Sequence, residues 1–97
     1  MIFWETVDFS TLRIENWDGE YTVFQSKSEK THFLNQMGLH ILTLLDQSPS
    51  SLEAICQNLA NQFQVQLDAH FSVQILRTLH RFEELGLIRS MEEGCFM

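Results

Sequence analysis

Basic residues are scarce in this chain of 97 residues: six Lys and Arg stand against 13 Asp and Glu, for a formal charge of −7. Affinity for nucleic acid comes largely from neutralising phosphates with Lys and Arg, so this balance opposes a phosphate-rich partner and favours a neutral or basic one. Cysteine is almost absent. Cys56 and Cys95 lie far apart and are too few for a disulfide framework or a thiolate metal cage, which fits a reducing cytoplasm. No apolar run approaches the roughly 20 residues that cross a bilayer. The N-terminus also lacks the basic-then-apolar pattern of a secretion signal. Proline occurs once, at Pro49, and glycine four times. Of these glycines only Gly19 and Gly86 have clear backbone roles. No internal repeat or low-complexity tract is present.

What remains is a globular composition, 44% hydrophobic with eight Phe. A chain of this length buries roughly 65% of its unfolded surface, enough for one core without covalent staples. The expectation is a single soluble cytoplasmic domain over 1–97, with a core of about 12–88, an N-terminal extension at 1–11 and an acidic tail at 91–97.

The N-terminal third carries strand signals. Leu12 to Trp17 and Glu20 to Gln25 flank Asp18-Gly19, a pair that suits a type I′ hairpin because both central residues must tolerate positive φ. That turn sets Trp17 opposite Glu20 and Ile14 opposite Val23. One face then carries Leu12, Ile14, Tyr21 and Val23, and the other Arg13, Glu15, Thr22 and Phe24. Phe3 to Val7 suits another short strand, with no partner specified. Ser26 to Lys30 is a polar loop, and Thr31-His32-Phe33-Leu34 reads as a third strand at a sheet edge.

From Asn35 the period changes. Asn35 suits an N-cap, and Met37, Ile41, Leu42, Leu44 and Leu45 form a helical stripe up to Asp46. Gly38 within it costs about 1 kcal/mol relative to Ala and suits a close backbone approach. After the break at Pro49, Ser50 with Glu53 resembles a capping box opening a second helix that carries Leu52, Ile55, Cys56, Leu59 and Phe63. Asp68 caps a third helix running to about Leu85, and Gly86 stands where a left-handed C′ residue belongs. Leu87-Ile88-Arg89 returns as a short extended piece. The order predicts an α+β domain: a small antiparallel three-stranded sheet followed by three helices, with winged-helix relatives.

At about 100° per residue, Phe71, Ile75, Phe82 and Leu85 of the third helix share one arc with Leu79 on its flank, the core face. Val73, Leu76 and His80 fall nearly opposite, with Arg77, Arg81 and Glu84 continuing round. Two aliphatics, a histidine and two arginines suit a surface that meets a second object, with Arg77 or Arg81 pairing with a partner carboxylate through its planar fork. The alternative is that Val73 and Leu76 pack against another helix of the same domain. As a DNA-reading face the helix is poorly equipped: Arg77, Arg81 and Arg89 are opposed by Asp68, Glu83 and Glu84.

Catalytic and metal patterns are missing. His32, His40, His70 and His80 form no HxxxH pair and stand beside no Cys pair at zinc spacing. His40 reads as a partly buried, hydrogen-bonded side chain and Cys56 as a small core residue. Glu83-Glu84 and Glu92-Glu93 are adjacent pairs whose side chains point apart. No phosphate loop or nucleophile elbow occurs. The expectation is a non-enzyme without cofactor or metal.

Tyr21-Thr22-Val23-Phe24, then Thr31-His32-Phe33-Leu34-Asn35, then Ile41-Leu42-Thr43-Leu44-Leu45 together resemble the PqqD-like family of small peptide chaperones, also called recognition elements of ribosomally made, modified peptides. Ser50 to Leu59 is similar to the family's second helix, and Leu76 to Ile88 to its closing helix. The stretch Ser28 to Asn35 resembles a subgroup from systems with an HPr-kinase-related protein. The resemblance implies a non-catalytic chaperone that captures a leader or precursor peptide as an added strand on its third strand, against the third helix, and presents it to a modifying enzyme, kinase-related in that subgroup. The implied peptide-binding residues are Thr31, His32 and Phe33 on the edge, and Val73, Leu76, Arg77, His80 and Arg81 on the helix. Strand addition needs unpaired backbone groups, which an edge supplies. Phe3 to Val7 is a competing cover for that edge. Two other readings stand beside this one: a winged-helix DNA-binding regulator, and a structural homodimer.

Overall fold

The computed structural model describes residues 2–92. Its strands are β1 (Ile2–Thr6), β2 (Leu12–Trp17), β3 (Glu20–Gln25), β4 (Lys30–Leu34), β5 (Ser50–Ser51) and β6 (Ile88–Glu92). Its helices are α1 (Gln36–Gln47), α2 (Leu52–Phe63) and α3 (Ala69–Glu84). The α+β class is as expected, but there are two antiparallel three-stranded sheets, ordered β5-β1-β6 and β2-β3-β4.

The β2-β3-β4 sheet follows the local chemistry of its turn. Asp18 and Gly19 have φ of 51° and 86°, the backbone that a type I′ turn requires. This fixes Trp17 opposite Glu20 and Ile14 opposite Val23. β4 then lies along the far side of β3, with Val23 opposite His32 and Thr22 opposite Phe33.

The other sheet assigns the partner that the sequence left open. β1 is its central strand, pairing with β5 at Trp4 opposite Ser50 and with β6 from Ile2 opposite Glu92 to Thr6 opposite Ile88. Residues 2–6 therefore do not cover β4, and β1 is built into the body of the domain. The expected tail is likewise part sheet, since Met91 and Glu92 end β6; residues 93–97, including Cys95 and Phe96, lie outside the described residues. Ser50 is correspondingly not the cap of α2. It is held in β5, and Ser51 caps instead, accepting from the Ala54 N–H at 3.3 Å. Glu53 then falls one place short of the capping-box position and favours the helix only as an acid in its first turn.

The other helix ends follow the expected chemistry. Asn35 Oδ1 accepts from the Gly38 N–H at 2.7 Å, and Asp68 Oδ1 from the Phe71 N–H at 2.8 Å. α3 closes in a Schellman motif: the Gly86 N–H bonds Glu83 O and the Leu87 N–H bonds Phe82 O, with Gly86 at φ 79°. That turn aims Leu87 and Ile88 inward, both essentially fully buried.

The core gathers Val23 and Leu34 from the sheet, Ile41, Leu42 and Leu45 from α1, Ile55 and Leu59 from α2, and Phe71, Ile75, Leu79 and Phe82 from α3, with Trp4 joining from β1. The first four buried positions of α3 match the expected arc. Leu85 is only partly buried at its margin. No helix among the described residues is long and apolar enough to cross a membrane.

Candidate functional site: the open edge of β4 and the groove beside it

β4 pairs with β3 on one side, and no strand among the described residues pairs with its other side. The type I′ turn decides which backbone groups are left over. It closes on Trp17 and Glu20 as a hydrogen-bonded pair, and bonded and non-bonded pairs alternate from there. Glu20, Thr22 and Phe24 thus bond β2, while Tyr21, Val23 and Gln25 bond Leu34, His32 and Lys30. The N–H and C=O groups of Thr31 and Phe33 therefore point away from the sheet. The three named edge residues divide accordingly: Thr31 and Phe33 carry the free backbone groups, and His32 faces inward along the ladder.

Side chains alternate on the other axis. Thr31 and Phe33 stand on the outer face, where Phe33 is 75% exposed, while Leu34 on the inner face is 7% exposed. His32 shares the inner face and is half-buried. Its Nε2 lies 2.6 Å from Gln25 Oε1, which fixes the ring. Burial holds the His32 pKa below its ordinary value, and the positive charges of Lys30 and Arg81 press it further in that direction.

Between β4 and α3 runs a groove of about 350 Å³, lined along the strand by Thr31 to Leu34, at its end by Asn35 and Gly38, and along the helix by Thr78, Arg81, Phe82 and Leu85. Gly38 is what lets the end close. A Cβ there would lie 3.3 Å from both Asn35 Oδ1 and the Phe82 ring, so an alanine would require these side chains to give by a few tenths of an ångström. The groove has an apolar floor in Leu34, Phe82 and Leu85 and polar groups on its rim.

The proposed helix residues are only partly brought here. Arg81 lines the groove; Val73, Leu76, Arg77 and His80 do not. Counting about 100° per residue from Thr78, Val73, Leu76 and His80 lie about 140–160° away, on the far side of α3, and Arg77 about 100° away on its flank. Val73, Arg77 and His80 are exposed there, while Leu76 is half-buried against the core, the packing alternative. Leu34, Asn35, Gly38, Thr78, Phe82 and Leu85 are the lining residues absent from the expected set. A helix lying against both a core and a strand edge meets the strand with the margin of its apolar arc, and that margin, not the opposite face, was the available signal.

Other candidates settle as ordinary structure. His40 Nε2 donates to Asn58 Oδ1 at 2.9 Å, and its ring meets Phe63 edge-on at 5.5 Å. Cys56 is buried, and burial raises its thiol pKa. No group of His, Cys, Asp and Glu suited to a metal ion occurs among the described residues.

Comparison with known proteins gives three findings. Residues 20–88 match the sequence profile of the family described as "Coenzyme PQQ synthesis protein D (PqqD)". Among solved structures, "TbiB1 in Complex with the TbiA(beta) Leader Peptide" superposes with a TM-score of 0.67 at 17% identity, covering 93% of this chain and 95% of that one. No curated protein matches. The structural match establishes a shared fold.

Proposed function

This chain belongs to the PqqD family, whose members are non-catalytic peptide-binding domains, and on that premise we propose that it captures a leader or precursor peptide by adding it as a fourth strand beside β4 and presents it to a peptide-modifying enzyme, kinase-related in the subgroup that its Ser28-to-Asn35 stretch resembles. The observation that carries the reading is the unpaired side of β4 running along a groove. Free N–H and C=O groups on Thr31 and Phe33 supply backbone affinity that any extended sequence satisfies. Each hydrogen bond is worth about 0.5–1.5 kcal/mol net, so the ladder alone gives weak binding, and the groove must supply selectivity through alternate side chains. TbiB1, the structural relative, is itself seen with a leader peptide.

Duplex DNA suits the chain poorly. Its net charge is −7, and three of its cations are already committed to carboxylates, Arg13 to Glu15, Lys27 to Asp8 and Arg89 to Glu5. Phosphate tracking needs several unopposed cations. The buried thiol of Cys56 is at home in a reducing cytoplasm.

The test is a titration of ¹⁵N-labelled chain with synthetic leader segments of peptides encoded beside its gene. The expected result is saturable shifts concentrated at the Thr31 and Phe33 amides and along Thr78 to Leu85. Shifts confined to β6, or none with any segment, would remove the strand-addition reading.

A further inference from the structure

Two of the chain's three cations without an ion pair among the described residues lie near the open edge of β4. Of its six Lys and Arg, Arg13, Lys27 and Arg89 are ion-paired. Lys30, Arg77 and Arg81 have no ion pair among the described residues. Lys30 opens β4, and by strand alternation its side chain shares the inner face with His32 and Leu34. Arg81 lines the groove from α3 opposite Thr31 to Leu34, while Lys30 stands at the start of the strand just before that lining and Arg77, one helical turn before Arg81, lies outside it. Both Lys30 and Arg81 lie close enough to His32 to depress its protonation. In a protein that carries 13 acids against six bases, two cations without an ion pair among the described residues near one open strand edge are a binding feature. Like charges that both act on one side chain also repel each other, and a carboxylate set between them relieves that repulsion as well as forming two charge-assisted bonds.

We infer that the strand received by β4 carries an Asp or Glu whose side chain points into the groove and sits between Lys30 and Arg81, so that this domain selects acidic peptide segments. The inference rests on the strand-addition reading and names the chemistry of its substrate. Because side chains of an added strand alternate, the acid occupies an inward position. Its immediate neighbours in the segment point outward, beside Thr31 and Phe33, where an apolar side chain is favoured against the exposed Phe33 ring.

The probe is a random library of ten-residue segments displayed on phage and selected on the full chain. The enriched segments should share one Asp or Glu, and as synthetic peptides they should shift the Thr31 and Phe33 amides. Replacing that acid by Asn or Gln, or making Arg81→Gln in the protein, should weaken binding at least tenfold. Selection on the Lys30→Glu/Arg81→Glu variant should enrich Lys or Arg at the same position. Arg81 is exposed and makes no side-chain hydrogen bond or ion pair among the described residues, so these variants should keep the native circular dichroism; should one not, the peptide substitution carries the same comparison on the native protein. In complex with the acidic segment, His32 should titrate at higher pH than in the free chain, and its amide-substituted counterpart should leave it unmoved. Segments that shift Thr31 and Phe33 yet share no acid, and bind Arg81→Gln equally well, would overturn this inference alone. A library that yields no segment acting on β4 would overturn strand addition with it.

Discussion

The two sheets of this small domain have the same size and sense but opposite roles. In β5-β1-β6 the N-terminal strand sits between two partners, Trp4 is buried against the core, and Arg89 on the outer strand is locked to Glu5 at 2.6 Å. In β2-β3-β4 the last strand has no partner on one side among the described residues and runs along a groove lined by Arg81. An exposed edge is ordinarily a hazard that charge and short length suppress. β6 shows that suppression, with Arg89 and Glu92 among its exposed residues. β4 also opens with an exposed charge, Lys30, but its Phe33 is 75% exposed against 38% for Met91 of β6, and an apolar floor lies alongside. What makes an edge receptive is its flank, more than its backbone.

The comparison breaks most severely at the floor of the groove. Phe82 is 3% exposed and belongs both to the core and to the groove, so Phe82→Ala should cost about 3–5 kcal/mol by chemical denaturation and abolish peptide binding. Trp4→Phe in the other sheet should cost much less, because the buried Trp4 Nε1–H has no hydrogen-bond partner and removing it offsets part of the lost packing. The next effect separates ladder from fold. Phe33→Pro removes an outward N–H at an edge that tolerates proline, so affinity for a bound segment should fall about tenfold, near 1.4 kcal/mol, with the melting temperature nearly unchanged. A loss of similar size from His32→Pro with the fold intact would invert the derived ladder.

A smaller effect follows from the lowered pKa of His32, set first by burial and then by Lys30 and Arg81. The folded state resists protonating this ring, so the unfolded chain takes up the proton first. Its contribution to stability is complete above the unfolded value of 6.5 and is lost as pH falls through the window beneath it. Thermal melts should therefore decline on acidification through that window, and His32→Gln should flatten the decline. Smallest of all, Arg89→Ala in the closed sheet breaks an exposed pair and should cost less than about 1 kcal/mol, without effect on peptide binding.

Local chemistry was legible from residues. Asp18-Gly19 fixed a hairpin register that matches residue for residue, Asn35 and Asp68 capped their helices, and Gly86 ended α3 as a left-handed residue. What escaped were decisions made by distant pairing. Nothing near Phe3 to Val7 indicates that Ser50, 43 to 47 positions on, and Ile88 to Glu92 will take it as a central strand, and Ser50 lost its capping role to that same sheet. The candidate edge was readable because Thr31 to Leu34 is short and precedes a helix. The helix wall was misplaced because periodicity locates the core face without saying which margin of it meets a neighbouring strand. Arg81 was found through its charge; Gly38 signalled a close backbone approach but not a groove, and Thr78, neither charged nor apolar, gave no sign.

Amide hydrogen exchange at three consecutive residues tests the central claim most directly. In the free monomer, the His32 N–H should be protected by β3 while those of Thr31 and Phe33 exchange rapidly, and saturation with a bound leader segment should slow Thr31 and Phe33 by at least tenfold. Thr31 and Phe33 already protected in the free monomer, or unchanged at saturation, would contradict it.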